Sequence, residues 1–196
     1  MKPLLRRLIV AVVTTVAVLL GTAGTAHAST WLVRDDLELF GSQWDLDGYG
    51  FLTCNFYYSC TDAYVSDNGA QARTGTHSVR MFTEYNPDAW VSLGRPFETP
   101  VGARSCVATM YVRAELYDGI DTVMQLEVLQ AAGWTYLAKG SSRLHDPYNS
   151  TWRQIRTASW APAADRNVYI RMVLTGGEHL SIVNADDLAV SCTVLP

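Results

Sequence analysis

The sequence is short of lysine, with only Lys2 and Lys139, and of histidine, with four in 196 residues. Lys and Arg together number 15 against 19 Asp and Glu, a formal net charge of −4, and there is no basic cluster beyond the first seven residues. Nucleic-acid binders concentrate Lys and Arg on one face, so no nucleic-acid partner is expected. Catalytic signatures are missing too: there is no GxSxG, no HExxH and no glycine-rich phosphate loop, and His77, His145 and His179 are scattered. No CxxC or nearby histidine pair supports a zinc site. There is also no long amphipathic helix pattern, no internal repeat and no low-complexity linker. The apolar run from Leu8 to Leu20 would cover roughly 20 Å as a helix, short of a hydrocarbon core about 30 Å thick.

What is present at the start is ordered. Lys2, Arg6 and Arg7 precede the apolar run, and small residues follow, ending Ala26-His27-Ala28. Charge, then grease, then a small-residue site is the order of a secretory signal peptide. The expectation is a removed leader over 1–28 and a single domain over 29–196, secreted, extracellular and not membrane-inserted after cleavage. All four cysteines, Cys54, Cys60, Cys106 and Cys192, fall in that domain, and an even count in an oxidising compartment reads as disulfides. Three pairings are open. The favoured one joins Cys54 to Cys60, closing a short aromatic loop, and Cys106 to Cys192, tying an early strand to the last.

From Trp31 onward apolar and polar residues mostly alternate, with period two, in stretches bounded by Gly, Pro, Asn and Asp. This predicts strands over 31–39, 78–83, 90–97, 106–116, 122–129, 135–139, 153–160, 167–175 and 187–194. Neighbouring residues of a strand point to opposite sides. Cys106, Ala108, Met110, Val112, Ala114 and Leu116 form one apolar face, and Met124, Leu126 and Val128, then Val168, Ile170, Met172 and Leu174, form two more. Sheets with one greasy and one mixed face pack in pairs, so an all-β, two-sheet antiparallel β-sandwich is expected. Cys106 and Cys192 both sit at apolar-parity positions, which suits a bridge between the two sheets.

The order of motifs resembles the carbohydrate-binding modules of the galactose-binding-domain-like, jelly-roll type found on secreted bacterial glycosidases. The likeness is carried by Asp36-Leu37-Glu38 followed by Trp44, by the turn Ala72 to Ser78, by Trp152 to Pro162, and by the closing Asn184 to Val190 with its paired aspartates. Arg34-Asp35 stands where Asn-Gly is usual in such modules. The resemblance implies that a polysaccharide or cell-surface glycan lies across a concave sheet. It also implies a structural calcium ion held by Glu38 and a closing aspartate, with carbonyls near Thr76 and His77.

The residues supply candidates beside that likeness. Tyr111, Arg113, Glu115, Gln125, Glu127, Tyr169 and Arg171 share a mixed face if their three strands are neighbours, and sugars need such a mixture: rings for the C–H side and fixed polar groups for the hydroxyls. The alternative is that Arg113 and Arg171 pair with Glu115 and Glu127 across strands. Tyr57 and Tyr58, with Phe56, offer a second surface in the Cys54 to Cys60 loop, and Tyr64, Tyr85, Trp90, Trp134 and Tyr136 add further rings. Trp44, Trp152 and Trp160 are expected in the core. Asp186 shares the parity of Leu188, Val190 and Cys192 and is expected to point inward, where a carboxylate needs a cation or several donors. Paired carboxylates such as Glu115 and Glu127 are what an enzyme could use as acid and base in glycoside cleavage. The reading is a secreted, monomeric, non-catalytic glycan-binding protein. An extracellular structural or interaction sandwich is the alternative, followed by a small polysaccharide hydrolase or lyase.

Overall fold

The structure, a computed structural model, describes residues 29–35, 37, 44–49, 62–83, 88–117, 122–144, 151–175 and 181–195. The expected leader and the loop holding Cys54, Cys60, Tyr57 and Tyr58 lie outside the described residues, as do Glu38 and Tyr85. Among the described residues there are eleven strands: β1 (Ser29–Asp35), β2 (Asp45–Tyr49), β3 (Asp62–Ser66), β4 (Ser78–Thr83), β5 (Trp90–Glu98), β6 (Ala103–Tyr117), β7 (Val123–Gln130), β8 (Tyr136–Arg143), β9 (Arg153–Arg156), β10 (Asn167–Thr175) and β11 (Ser181–Val194). They form two antiparallel sheets. Sheet A runs β3-β4-β11-β6-β9 with β1 also on β11, and sheet B runs β2-β5-β10-β7-β8. Among the described residues no helix is long and apolar enough to cross a membrane.

The predicted greasy faces meet between the sheets. Met110, Val112, Met124, Leu126, Val128, Ile170, Met172 and Leu174 are at most 1 % exposed and join one core with Met81 and Ile155. Burying each such side chain stabilises the fold by about 1.5–3 kcal/mol, and four methionines among them can adjust to gaps that branched residues could not fill. Trp160 belongs to this core and Trp44 packs against it. Trp152 does not: it is half-buried with the Arg113 guanidinium 4.9 Å above its ring.

Two expectations about parity are corrected. The Cys106–Cys192 disulfide forms, but it joins neighbouring strands of one sheet, since Cys106 is the direct partner of Cys192 in the β6–β11 register. The backbone N–H and C=O of Cys106 are used on the other side, by Trp160. Facing β11, Cys106 therefore stands in a pair without mutual hydrogen bonds, where strands approach most closely, and the Cα atoms are 4.1 Å apart. The second correction is Asp186. It is 1 % exposed, but it is paired with Tyr111, an outward residue of β6. Between Asp186 and Ala189 strand β11 advances three residues while β6 advances two, from Tyr111 to Thr109. This bulge, with Asp187 at φ 52°, reverses the alternation. Asp186 lies on the outer side of sheet A and is buried by the loop over 67–77.

The disulfide closes a separation of 86 residues, long enough for chain entropy to favour the native state substantially. Replacing both cysteines by alanine is expected to lower the unfolding free energy by about 2–5 kcal/mol in urea titrations; an unchanged midpoint would show that the link adds nothing.

Candidate functional site

The seven residues proposed as one mixed face divide between two. Strand β6 belongs to sheet A, whereas β7 and β10 are neighbours in sheet B. Tyr111, Arg113 and Glu115 therefore face away from Gln125, Glu127, Tyr169 and Arg171, on the opposite side of the sandwich. Local alternation fixes which way a side chain points but not which strands become neighbours, so sequence alone does not separate the two sets.

On sheet A Tyr111 and Arg113 hold down the loop over 67–77, and Glu115 ties β6 to β4 and β11. The Arg73 guanidinium sits 3.6 Å from the Tyr111 ring centroid, Arg113 donates to the Ala70 carbonyl at 3.0 Å, and Glu115 accepts from Arg80 and Asn184 at 3.2 Å each. A concavity of about 670 Å³ opens beside them, lined in part by Tyr64, Ser66, Gln71, His77 and Arg80. Some of its polar groups are engaged with one another or with a neighbour: Ser66 donates to Gln71 at 2.7 Å, and His77 Nδ1 meets Thr76 Oγ1 at 3.0 Å.

Asp186 is held in the same loop. Its Oδ2 accepts the backbone N–H groups of Arg73 at 2.6 Å and Thr74 at 3.1 Å, and its Oδ1 accepts that of Asp187 at 2.6 Å. Asp187 in turn pairs with Arg73 and accepts from Thr74 Oγ1 at 2.7 Å. Desolvation raises the Asp186 pKa above the usual carboxylate value against the opposing pull of these amides. The donors facing Asp186 are N–H groups, which do not fit a calcium ion at Oδ2, and among the described residues no three His, Cys, Asp or Glu side chains are grouped to hold a metal. Melting temperatures in calcium and in chelator test the expected ion, and equal values would count against it. A rise of several degrees with calcium would show that Glu38 completes a cation site around the remaining lone pairs.

Sheet B carries a different surface. Glu127 is only 3 % exposed, yet both its oxygens are met: Oε2 by Arg171 Nε at 2.7 Å and Oε1 by Lys139 Nζ at 2.8 Å. Arg171 also donates to Tyr136 Oη at 3.1 Å, and Lys139 lies 3.5 Å from the Tyr136 ring centroid. Burial opposes both cationic charges, but the Glu127 carboxylate and Tyr136 outweigh it and raise both pKa values. Of the cross-strand pairs expected from sequence, Arg171–Glu127 forms, while Arg113 and Glu115 turn to other partners. Glu115 and Glu127 are on opposite sides of the molecule and cannot act as one acid–base pair.

Rings stand beside this polar cluster. Tyr169 lies across β5 at Gly94, where an added Cβ would come within 2.8 Å of the Arg171 Cβ and would strike the Tyr169 ring. Without a side chain at 94 the tyrosine reaches β2, and its hydroxyl donates to Asp45 Oδ2 at 3.3 Å. Trp134 meets Tyr169 edge to face with centroids 4.9 Å apart. It projects from the β7–β8 turn, where Gly133 and Trp134 both have positive φ, 85° and 56°. A left-handed conformation costs a non-glycine residue about 1–2 kcal/mol, and here it leaves Trp134 57 % exposed. Trp90 completes the set, with the Arg171 guanidinium 5.9 Å from its ring centroid. Trp134, Tyr136 and Trp90 were visible in the sequence as aromatics; Asp45, Gly94 and Lys139 had no signal, because their role comes from strand order.

Glu127→Ala would leave Arg171 and Lys139 without their shared anion. A loss of about 3 kcal/mol in urea unfolding is expected, with a smaller loss for Glu127→Gln; no loss in either would mean that the cluster is solvent-screened.

No family model matches the chain, and no curated protein matches its sequence. Solved structures do share its fold. TmCBM61, a carbohydrate-binding module determined in complex with β-1,4-galactotriose, aligns with a TM-score of 0.51 at 13 % identity, covering 76 % of this chain and 88 % of its own. A structure from work on the promiscuous specificity of carbohydrate-binding modules of the β-sandwich superfamily aligns with a TM-score of 0.53 at 9 % identity, over 87 % of this chain and 75 % of its own. The fold is that of the carbohydrate-binding-module β-sandwich.

Proposed function

We propose that the protein is a secreted, non-catalytic glycan-binding module whose ligand lies on the outer face of sheet B. The observation that carries this reading is Trp134: a tryptophan held exposed in a left-handed turn, edge-on to Tyr169, beside a fixed charge cluster. Stacking on rings suits the C–H faces of a pyranose, and directed polar groups suit its hydroxyls. Gln125 shares this face one alternation from Glu127, and its amide makes no hydrogen bond with the described residues. Export is supported by the leader-like N-terminus and by the disulfide. The absence of a role for catalysis is supported by the separation of Glu115 from Glu127 and by the full engagement of Glu127. The fold likeness to a module bound to galactotriose makes β-1,4-galactan a natural first probe.

The test is retention of the purified protein on insoluble cellulose, xylan, chitin, mannan and peptidoglycan, with soluble β-1,4-galactan as a further probe. Binding to at least one is expected, weakened about tenfold, or about 1.4 kcal/mol, by Trp134→Ala and by Tyr169→Ala. No binding to any of these would favour an interaction sandwich. Binding untouched by both substitutions would remove this face as the site.

A further inference from the structure

The lower half of sheet A presents a groove on the side of the molecule opposite Trp134. It has a volume of about 460 Å³ and is lined by Ser105, Thr109, Gln154, Arg156, Ser191 and Thr193 among others. Strands place these groups in cross-strand rows: Thr193 pairs with Ser105, and Ala189 pairs with Thr109, which pairs with Arg156. Ser105 and Ser159 are linked through their hydroxyls at 2.5 Å, which ties β6 to the segment after β9. Among the described residues that line it none is acidic, in a chain with 19 acids and 15 bases. The row through Ala189 and Thr109 begins on β1 with Arg34 and ends on β9 with Arg156. Three strand spacings separate these arginines, about 14 Å at the backbone. Both are exposed, and neither is in an ion pair with a described residue.

We infer that this groove is a second ligand site, for an anionic glycan bearing carboxylate or sulfate groups. Hydroxyls and an amide fixed on strands can both donate to and accept from sugar hydroxyls. A guanidinium fork receives a carboxylate or sulfate through two parallel N–H bonds, with a geometry an ammonium cannot supply. Two guanidiniums match sparse charge on a hydroxyl-rich chain; a nucleic acid would need several more cations to release its counterions. The net negative charge of the protein opposes a polyanion at long range, so attraction arises only at close approach and weakens with salt. This site does not depend on the neutral-glycan reading of sheet B.

The experiment is affinity electrophoresis of the purified full chain in gels containing polygalacturonate, a sulfated galactan or neutral galactan, at low and at moderate salt. Retardation by at least one anionic polymer is expected, and which polymer retards distinguishes carboxylate from sulfate. Arg34→Gln with Arg156→Gln should weaken it at least tenfold, as should Ser191→Trp, which fills the groove without removing charge. Trp134→Ala should leave it unchanged. Thermal melts check that each variant is folded, and Ser191→Trp decides if the double variant is not. The inference is overturned if neither anionic polymer retards the protein, if retardation survives in the folded variants, or if Trp134→Ala abolishes it equally.

Discussion

Strand β11 has three partners on its two edges, and the order of sheet A follows from how it accommodates them. Residues 181–185 pair with β4, residues 188–194 pair with β1, and the opposite edge runs along β6 throughout. One straight strand could not serve β4 and β1 in succession with its apolar side always inward, because Ala185 and Leu188 are three apart and both are buried. The bulge at Asp186 and Asp187 supplies the extra residue that keeps both inward. Its cost is a carboxylate lifted away from solvent. The amides of Arg73, Thr74 and Asp187 meet that carboxylate, so the loop over 67–77 has to fold onto sheet A. Arg73 and Arg113 then pack against Tyr111 and Trp152 to keep it there.

This arrangement decides which face remains available. The half of sheet A beside the bulge spends its aromatic and charged residues on its own loop. On sheet B the rings of Trp134 and Tyr136 stay exposed, while the charges beneath them are paired with one another. A paired cluster is rigid, so a ligand resting on it meets groups already in place and does not have to order them. On the proposed reading the polar groups would gain little new Coulomb energy on binding, and the affinity would come largely from the rings. That division fits a surface on which aromatic contact gives strength and the fixed amide, ammonium and carboxylate positions select among hydroxyl patterns.

Much of the fold was legible because one rule, period two, governs a sandwich. Strands β4 and β10 begin and end at the residues expected from alternation, and the apolar faces of β6, β7 and β10 are the observed core. The short strands β2 and β3 were not seen: five residues each, one containing Asp-Leu-Asp-Gly, show too little alternation. The direction of Asp186 was misread because a bulge reverses parity without leaving a mark in composition. The site was half legible. Glu127, Gln125, Tyr169 and Arg171 were selected for sharing mixed faces, and the structure keeps them together. Tyr111, Arg113 and Glu115 looked equivalent, and only strand order, which depends on how the chain crosses between sheets, separates them.

The same crossing explains how one sandwich can present two unlike surfaces. From β6 the chain passes to sheet B for β7 and β8, returns to sheet A for β9, crosses again for β10 and ends on sheet A with β11. Each crossing puts the outward residues of consecutive strands on opposite sides of a shared core. Residues close in sequence, such as Lys139 on β8 and Arg156 on β9, thereby serve different faces. On sheet B the cations are neutralised by a buried carboxylate and the surface is aromatic. On the lower half of sheet A Arg34 and Arg156 form no ion pair with a described residue, and the surface between them is hydroxylic. The two proposed ligands would lie on opposite faces with opposite chemistry and would not compete, so a change in the binding of one would leave the other untouched.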